Sequence, residues 1–484
     1  MLKKFLIALS FTNLCFYNVF CILCYQRTFY VRYLPTANSY LALIINELLV
    51  ASLMVLAWEI VLRINKPYLT KTIKAFLFLV VLILVNDAAR DIQGIDHDII
   101  KYSLLTITFL LIIFKKTTKA TVFFLLISAP FVGVIFFKSA AGFVANLHRT
   151  APPPKPALSS TAVDNQAPRV LWLLFDELDY RIAFIDKPQG LKLPTFERFQ
   201  KQAITAENAY SPSTWTKVSI PALIDGRFIS GAVNDNQNLK ITYRDTGDTV
   251  NWGSKPNVFS RAGELGYKTA LIGEYLPYER LIGKDLTYCS WYSYYPSYVS
   301  PVDTLPANLY SQLFNIFTAL TKSYIHRKNT YPVFLEESKK LAAEPAYGLT
   351  MIHIPIPHGP FFYKTPWWNQ SGEGYLNSLV LADETLKQLW DVMASKGLWD
   401  STTVILSSDH WLRKQKKYFN VTDSRIPFLV KTAGQKEAFV YQPHFNTVIT
   451  QALILAILEN KVTTPEDVID WLDKHRDPVN YLPI

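Results

Sequence analysis

Residues Arg169–Asp179 read RVLWLLFDELD: an unbroken apolar run, Val170–Phe175, ended by two adjacent acids. A short apolar run bounded by polar residues is the pattern of a β-strand buried on both faces. Downstream, strand and helix patterns alternate. Helices are predicted over Leu193–Ala203 and Val258–Leu265, the second passing through Gly266 into a strand at Lys268–Ile272. Further strands are predicted at Leu349–Ile354, Val404–Ser407 and Phe428–Val430, and helices at Tyr375–Ser395, Asn446–Leu458 and Pro465–His475. This alternation predicts an α/β sandwich with a mostly parallel central sheet covered on both faces. Ligands of such sheets gather beyond the carboxyl ends of the strands, so the acids after Phe175 fall where chemistry is expected. Residues 275–345, rich in Tyr, Trp, Ser and Pro, show no period that assigns them to an element.

Upstream of the decisive strand, His148–Pro168 (HRTAPPPKPALSSTAVDNQAP) has no helix or strand period and reads as a semi-rigid linker. Before it, long runs of Leu, Ile, Val and Phe dominate. Spanning a bilayer needs about 20 mostly apolar residues in a helix. Five segments qualify: Phe5–Tyr25, Tyr40–Leu62, Ile73–Val85, Tyr102–Phe114 and Ala120–Phe137, the third and fourth only with their polar flanks. The chain therefore divides into a five-helix transmembrane domain (1–147), a Pro-rich linker (148–168) and an extracytoplasmic catalytic domain (169–484). Lys3, Lys4, Arg63, Lys66, Lys71, Lys74, Lys115, Lys116 and Lys119 fall on one side of the spans. On the other side Arg27 and Arg32 occupy one loop, and Arg90 and Lys101 in the next are offset by Asp87, Asp91, Asp96 and Asp98. The positive-inside rule then predicts a multi-pass protein of the cytoplasmic (inner) membrane. Its N-terminus is cytoplasmic, and the odd number of spans puts the C-terminal domain in the periplasm or outside.

The net charge of +10 raises nucleic acid as a partner, but those nine cations already serve topology and no RNA-binding motif accompanies the rest. A basic domain beside anionic lipid is the better fit. Cys15, Cys21 and Cys24 lie in the first apolar run and only Cys289 follows it, so no disulfide forms within the catalytic domain.

Several sites carry residues able to do chemistry. Asp176-Glu177 at the end of the first strand offers the oxygen ligands that hard or borderline divalent cations take, although an isolated acid there is more often a helix cap. Ser211-Pro-Ser-Thr-Trp-Thr-Lys-Val-Ser-Ile-Pro221 places hydroxyls at a predicted helix entry, where free N–H groups favour an anion. In isolation that stretch is a Ser/Thr capping cluster. His353-Ile-Pro-Ile-Pro-His358-Gly-Pro ends another strand; His358 belongs at a loop tip and is placed to donate to a leaving oxygen, whereas His353 within the strand is more often a core residue. Ser407-Ser408-Asp409-His410 supplies an oxygen and a nitrogen ligand from one turn.

In that order (acid, hydroxyl, His-Gly-Pro, Asp-His) the set resembles the alkaline-phosphatase/sulfatase superfamily. It is most similar to the membrane-bound branch of lipid A phosphoethanolamine transferases and lipoteichoic-acid (phosphoglycerol) synthases. The resemblance covers about Arg169–Thr432 with the helices in front. It implies an alkaline-phosphatase-like fold and one divalent metal ion, zinc or manganese first, with calcium also occurring in the family. Asp176, Glu177, Thr216, Asp409 and His410 match metal-binding positions. Thr216, in Thr216-Lys-Val-Ser-Ile-Pro221, matches the nucleophile, and His358 the histidine that contacts the substrate group. The chain departs from the pattern in two ways. It lacks the Cys-x-Pro-x-Arg nucleophile of formylglycine sulfatases. It also has Trp411-Leu-Arg-Lys-Gln-Lys-Lys417 after His410, where Lys416 or Lys417 is a candidate anion ligand or simply a surface basic run.

The reaction this implies is transfer of a phospholipid head group, phosphoethanolamine or phosphoglycerol, through a phospho-threonine to a cell-envelope glycan or lipid. A membrane phospholipid is the expected donor, and nucleic acid is not an expected partner. The alternatives are a membrane-tethered sulfatase or phosphodiesterase, mildly favoured by Glu177 and the lysines, and a non-catalytic envelope-assembly scaffold. Retention of Asp176, Thr216, Asp409 and His410 argues against the scaffold.

Overall fold

The structure is a computed structural model that describes residues 2–24, 29–64, 66–89, 103, 105–109, 116–148, 167–235, 237–294, 297–317, 322–420 and 422–483. Its contacts divide the chain into two compact units: Met1–Pro153 with Pro296–Leu320, and Pro154–Tyr295 with Thr321–Ile484. The segment 296–320, which the sequence reading leaves inside the C-terminal domain, clusters with the N-terminal helices.

In the helical unit, Ala37–Ile64, Pro67–Val85 and Thr117–Ala145 are long and apolar enough to cross a membrane. Leu2–Cys15 and Tyr17–Cys24 qualify as a fourth span only together, being bent by 68° at Phe16. Five spans therefore become three or four among the described residues. The expected span Tyr102–Phe114 and the linker His148–Pro168 fall largely outside those residues.

The second unit is built on twelve strands: β1 (Val170–Asp176), β2 (Ile204–Tyr210), β3 (Ile229–Asp235), β4 (Asn238–Tyr243), β5 (Thr249–Asn251), β6 (Thr269–Glu274), β7 (Tyr288–Tyr292), β8 (Leu349–Pro357), β9 (Thr403–Ser408), β10 (Arg425–Lys431), β11 (Phe439–Tyr441) and β12 (Phe445–Asn446). The main sheet runs β11-β2-β10-β9-β1-β8-β6-β7, with β12 also on β2, while β3-β4-β5 form a separate antiparallel sheet. The main sheet is mixed through a single strand. Strand β10 runs antiparallel to both β2 and β9, and the other pairings are parallel.

Strand β1 is central and wholly buried, which is why its sequence shows no alternation. Leu171, Leu173 and Phe175 enter a core with Phe196, Phe199 and the helix Gly372–Ser395 through Tyr375, Leu379, Leu386 and Met393. Trp172, Leu174 and Asp176 alternate to the opposite face. Parallel register sets Leu174 level with His353 of β8 and Ser407 of β9, so Asp176 and Asp409 emerge together at the carboxyl edge.

Candidate active site

Asp176, Asp409 and His410 are buried and bring one ligand atom each to within 4.8 Å of one another. Asp409 is held by its own N–H, which donates to Phe175 O (3.0 Å), and by His410 N and Glu177 N, which donate to its Oδ1 (2.8 and 3.2 Å). Its Oδ2 and the Oδ1 of Asp176 have no hydrogen-bond partner. Two buried carboxylates with orphaned oxygens, 3.6 and 3.8 Å from His410 Nε2, call for a cation or a proton between them. Burial first, then the charges of Asp409 and Glu177, push the Asp176 carboxyl well above the ordinary range. The imidazole is prepared for a cation as well. Its Nδ1 faces Trp411 O at 2.9 Å and must donate there, which leaves a lone pair on Nε2. The donor set fits one divalent ion of the oxygen-plus-imidazole class.

Thr216 begins the helix Thr216–Asp225 and is 8% exposed. Its Oγ1 lies 3.2 Å from His410 Nε2 and donates to that lone pair. The helix is pinned against the metal residues by Ser219 Oγ, which donates to Asp409 O at 2.6 Å. At its other end Gly226 takes φ 68°, and a Cβ there would lie 2.5 Å from the Gln451 side chain, so this stop requires glycine. A hydroxyl at a helix N-terminus, beside three candidate metal donors, sits where free backbone N–H groups favour an anion.

Glu177, expected as a further metal ligand, lies outside the trio. It occupies the left-handed region (φ 64°), where its backbone is fixed by Asp409 Oδ1 and by Tyr375 Oη, which donates to Glu177 O at 2.8 Å. Its carboxylate accepts from Arg413 Nε at 3.0 Å. Burial would raise this carboxyl, but neighbouring positive charge, with the hydrogen-bonded Arg413 guanidinium its permanent part, outweighs it and holds it below the usual range. Arg413 also donates from Nη2 to His358 Nε2 at 3.2 Å and lies over the exposed Trp215 ring, 4.8 Å from its centroid. This guanidinium, rather than Lys416 or Lys417, reaches the site; both lysines are exposed on the helix Gln415–Phe419.

His358 is half-buried, and its Nδ1 donates to Gly359 O at 2.6 Å. Its Nε2 is therefore an acceptor. Loss of surrounding water pushes its pKa down to about 4, against the pull of Glu177 and with the help of Arg327, His410 and Arg413. The expected donor role thus requires prior uptake of a proton; as it stands, the ring is a neutral acceptor. The loop is anchored by Arg327, whose Nη1 donates to Gly359 O (2.8 Å) while Nη2 pairs with Glu274 (2.6 Å) in a fully buried ion pair. The sequence reading finds neither Arg413 nor Arg327, because a lone arginine in a polar run carries no spacing signal. His353 lies on the same sheet face as Asp176 and Asp409, fully buried, with Nδ1 2.8 Å from Tyr278 Oη. His444 packs against Tyr210 and Tyr481, which also touch each other.

Two buried acids and a histidine beside a threonine hydroxyl, at the carboxyl edge of a mixed sheet, form a candidate metal-binding catalytic site. The chain belongs to the sulfatase family, whose pattern it matches over residues 168–458. Comparison with curated proteins gives no match. Among solved structures, Ps i-CgsB in complex with k-i-k-neocarrahexaose is similar with a TM-score of 0.46 and 15% identity, covering 65% of this chain and 78% of that one. The phosphonate monoester hydrolase of Agrobacterium radiobacter gives 0.42 and 11%, over 60% and 74%. The lipoteichoic acid synthase LtaP from Listeria monocytogenes gives 0.38 and 16%, over 60% and 72%.

Proposed function

We propose that this protein is a phosphotransferase of the cytoplasmic (inner) membrane that moves a phospholipid head group, phosphoethanolamine or phosphoglycerol, to a cell-envelope glycan or lipid. In this reading the catalytic unit lies on the extracytoplasmic side. The observation that carries the reading is the Thr216 hydroxyl, 3.2 Å from His410 Nε2 and beside two orphaned carboxylate oxygens. Asp176, Asp409 and His410 would hold a divalent cation, which supplies Lewis acidity that lowers the hydroxyl pKa and offsets charge on the phosphoryl oxygens. Thr216 Oγ1 forms the new bond to phosphorus, and the bond to the diacylglycerol oxygen breaks. Arg413 offers a fork of N–H donors to the non-bridging oxygens, with Trp215 stacked against its plane. Its present partners, Glu177 and His358, hold that fork at the site before substrate arrives. An acceptor hydroxyl then displaces Thr216 and regenerates the enzyme. Apolar helices long enough to span a bilayer support a lipid donor, since such a substrate need not leave the membrane.

A hydrolase reading, sulfatase or phosphodiesterase, is favoured by the sulfatase-family match and the arginine-paired Glu177 beside Asp176. Cys289 lies on β7, outside the nucleophile position, so formylglycine chemistry does not enter. The test is to supply full-length protein with head-group-labelled phospholipid and an envelope extract. Transfer predicts label on a glycan or lipid acceptor, lost in Thr216→Ala. Label released only as a water-soluble product establishes the hydrolase instead.

A further inference from the structure

Between β7 and the helix Lys322–Ala342 the chain leaves the catalytic unit, and residues 297–317 join the helical one. We infer that this insert is a re-entrant membrane element whose outward face, Pro306, Tyr310 and Phe314, is embedded in the hydrocarbon of the bilayer; the inference rests on reading the apolar helices as membrane spans.

The helix Leu305–Phe317 (LPANLYSQLFNIF) contains no charged residue and has the reverse of a water-facing arrangement. Asn308 and Gln312, one turn apart, are fully buried, whereas Tyr310 is 70% and Phe314 44% exposed, with their rings stacked 5.9 Å apart. Pro306 continues the exposed row one turn earlier. In water an amphipathic helix turns its apolar stripe inward; polar-inward and apolar-outward is the arrangement that lipid selects.

Both amides of the inward face, Asn308 and Gln312, find partners. Ser39 Oγ donates to Asn308 Oδ1 at 3.2 Å, and Gln312 Nε2 donates to Ser39 O at 2.8 Å. Asn46 Nδ2 donates to Leu309 O and Gln312 Oε1, both at 3.2 Å, and Asp303 accepts from Thr36 and Asn38 at the entrance. The partner sequence positions rise together, 36 with 303, 39 with 308 and 46 with 312, so the insert runs along the first turns of Ala37–Ile64 in the same direction. From Ala37 to Asn46 is about 14 Å at 1.5 Å per residue, on the order of one leaflet of hydrocarbon. Tyr298, Val299 and Leu313 complete the seat by packing with Phe16, Val19, Leu43 and Ile135. Further along Ala37–Ile64 the exposed surface is equally apolar, with Leu48, Leu49, Leu53 and Leu56 outward, so the outward face of the insert continues a surface already suited to acyl chains.

The test uses full-length protein in phosphatidylcholine liposomes, with Cys15, Cys21, Cys24 and Cys289 replaced by Ala and one thiol at a time carrying an environment-sensitive fluorophore. The positions are Tyr310→Cys, Phe314→Cys, Phe131→Cys on the helix Thr117–Ala145, and Val233→Cys on β3, all of them exposed in the structure. The expected result is that 310 and 314 behave like 131, quenched by doxyl-labelled lipid and shielded from iodide, while 233 is quenched by iodide alone. Iodide quenching at 310 and 314 with lipid quenching at 131 overturns the insert while leaving the spans intact. Iodide quenching at 131 as well overturns the membrane reading itself.

Discussion

Replacing Asp176 by Asn should change stability in opposite directions depending on whether metal is bound. In the metal-free protein, Asp176 and Asp409 bring oxygens no more than 4.8 Å apart, and two unit charges at that distance repel by about 3.5 kcal/mol at an effective dielectric of ~20. Asn removes one of the charges while keeping the shape, so the metal-free variant should be more stable by up to about that amount when both carboxyls are ionised. The sign with pH follows from the raised Asp176 carboxyl. Above the unfolded value of about 4, the unfolded chain has released a proton that the folded chain still holds. Stability contributed by that proton is therefore lost as pH rises toward the folded value, by up to about 1.4 kcal/mol per unit. Asp179 and Asp225, raised to about 6 and about 7 mainly by burial, add slopes of the same sign, but they are present in both proteins and cancel in the difference. The advantage of the variant over wild type should therefore grow with pH. With metal in large excess the order reverses. A ligand at a thousandfold excess over its Kd stabilises by about 4.1 kcal/mol, more than the repulsion relieved, and the variant forfeits most of this with its weakened affinity. The assay is thermal unfolding of the full-length protein in detergent, with EDTA or with added Mn2+ or Zn2+, across pH 5 to 8. Equal shifts with and without metal, or a difference that does not grow with pH, would refute a shared cation.

Arg413→Lys keeps a charge but loses the fork, and should lower kcat/KM about 10-fold, with Arg413→Ala lowering it about 100-fold, while metal affinity measured by calorimetry is unchanged. A loss of metal binding would mean that Arg413 supports Asp176 rather than substrate. Arg327→Ala leaves Glu274 buried without its partner and should destabilise by about 3–5 kcal/mol in denaturant titrations, part of which Arg327→Met with Glu274→Gln should restore. A surface-like loss below about 1 kcal/mol would contradict the buried pair. His358, held down to about 4, should be neutral at working pH, so kcat/KM should fall only as pH drops through about 4. A His358→Gln variant should lack that acid limb, and an unchanged profile would show that another group produces it.

The sequence by itself reached the order of elements in the catalytic unit, because a doubly buried strand such as Val170–Phe175 must be apolar throughout and the residues closing it are then conspicuous. It also singled out Asp176, Thr216, Asp409 and His410 as candidates, since each ends a strand or starts a helix where the chain changes from core to edge. Tertiary structure alone decided how they meet: register between β1 and β9 sets the two acids level, and Ser219 ties the nucleophile helix to Asp409. Glu177 shows the division plainly: adjacency to Asp176 marks it as a candidate ligand, and the structure adds that its carboxylate accepts from Arg413. Arg413, Arg327 and the insert at 297–317 were invisible for the same reason. Their roles depend on contacts with residues tens to hundreds of positions away, and neither spacing nor composition encodes which face of a helix will meet water, lipid or another polar side chain.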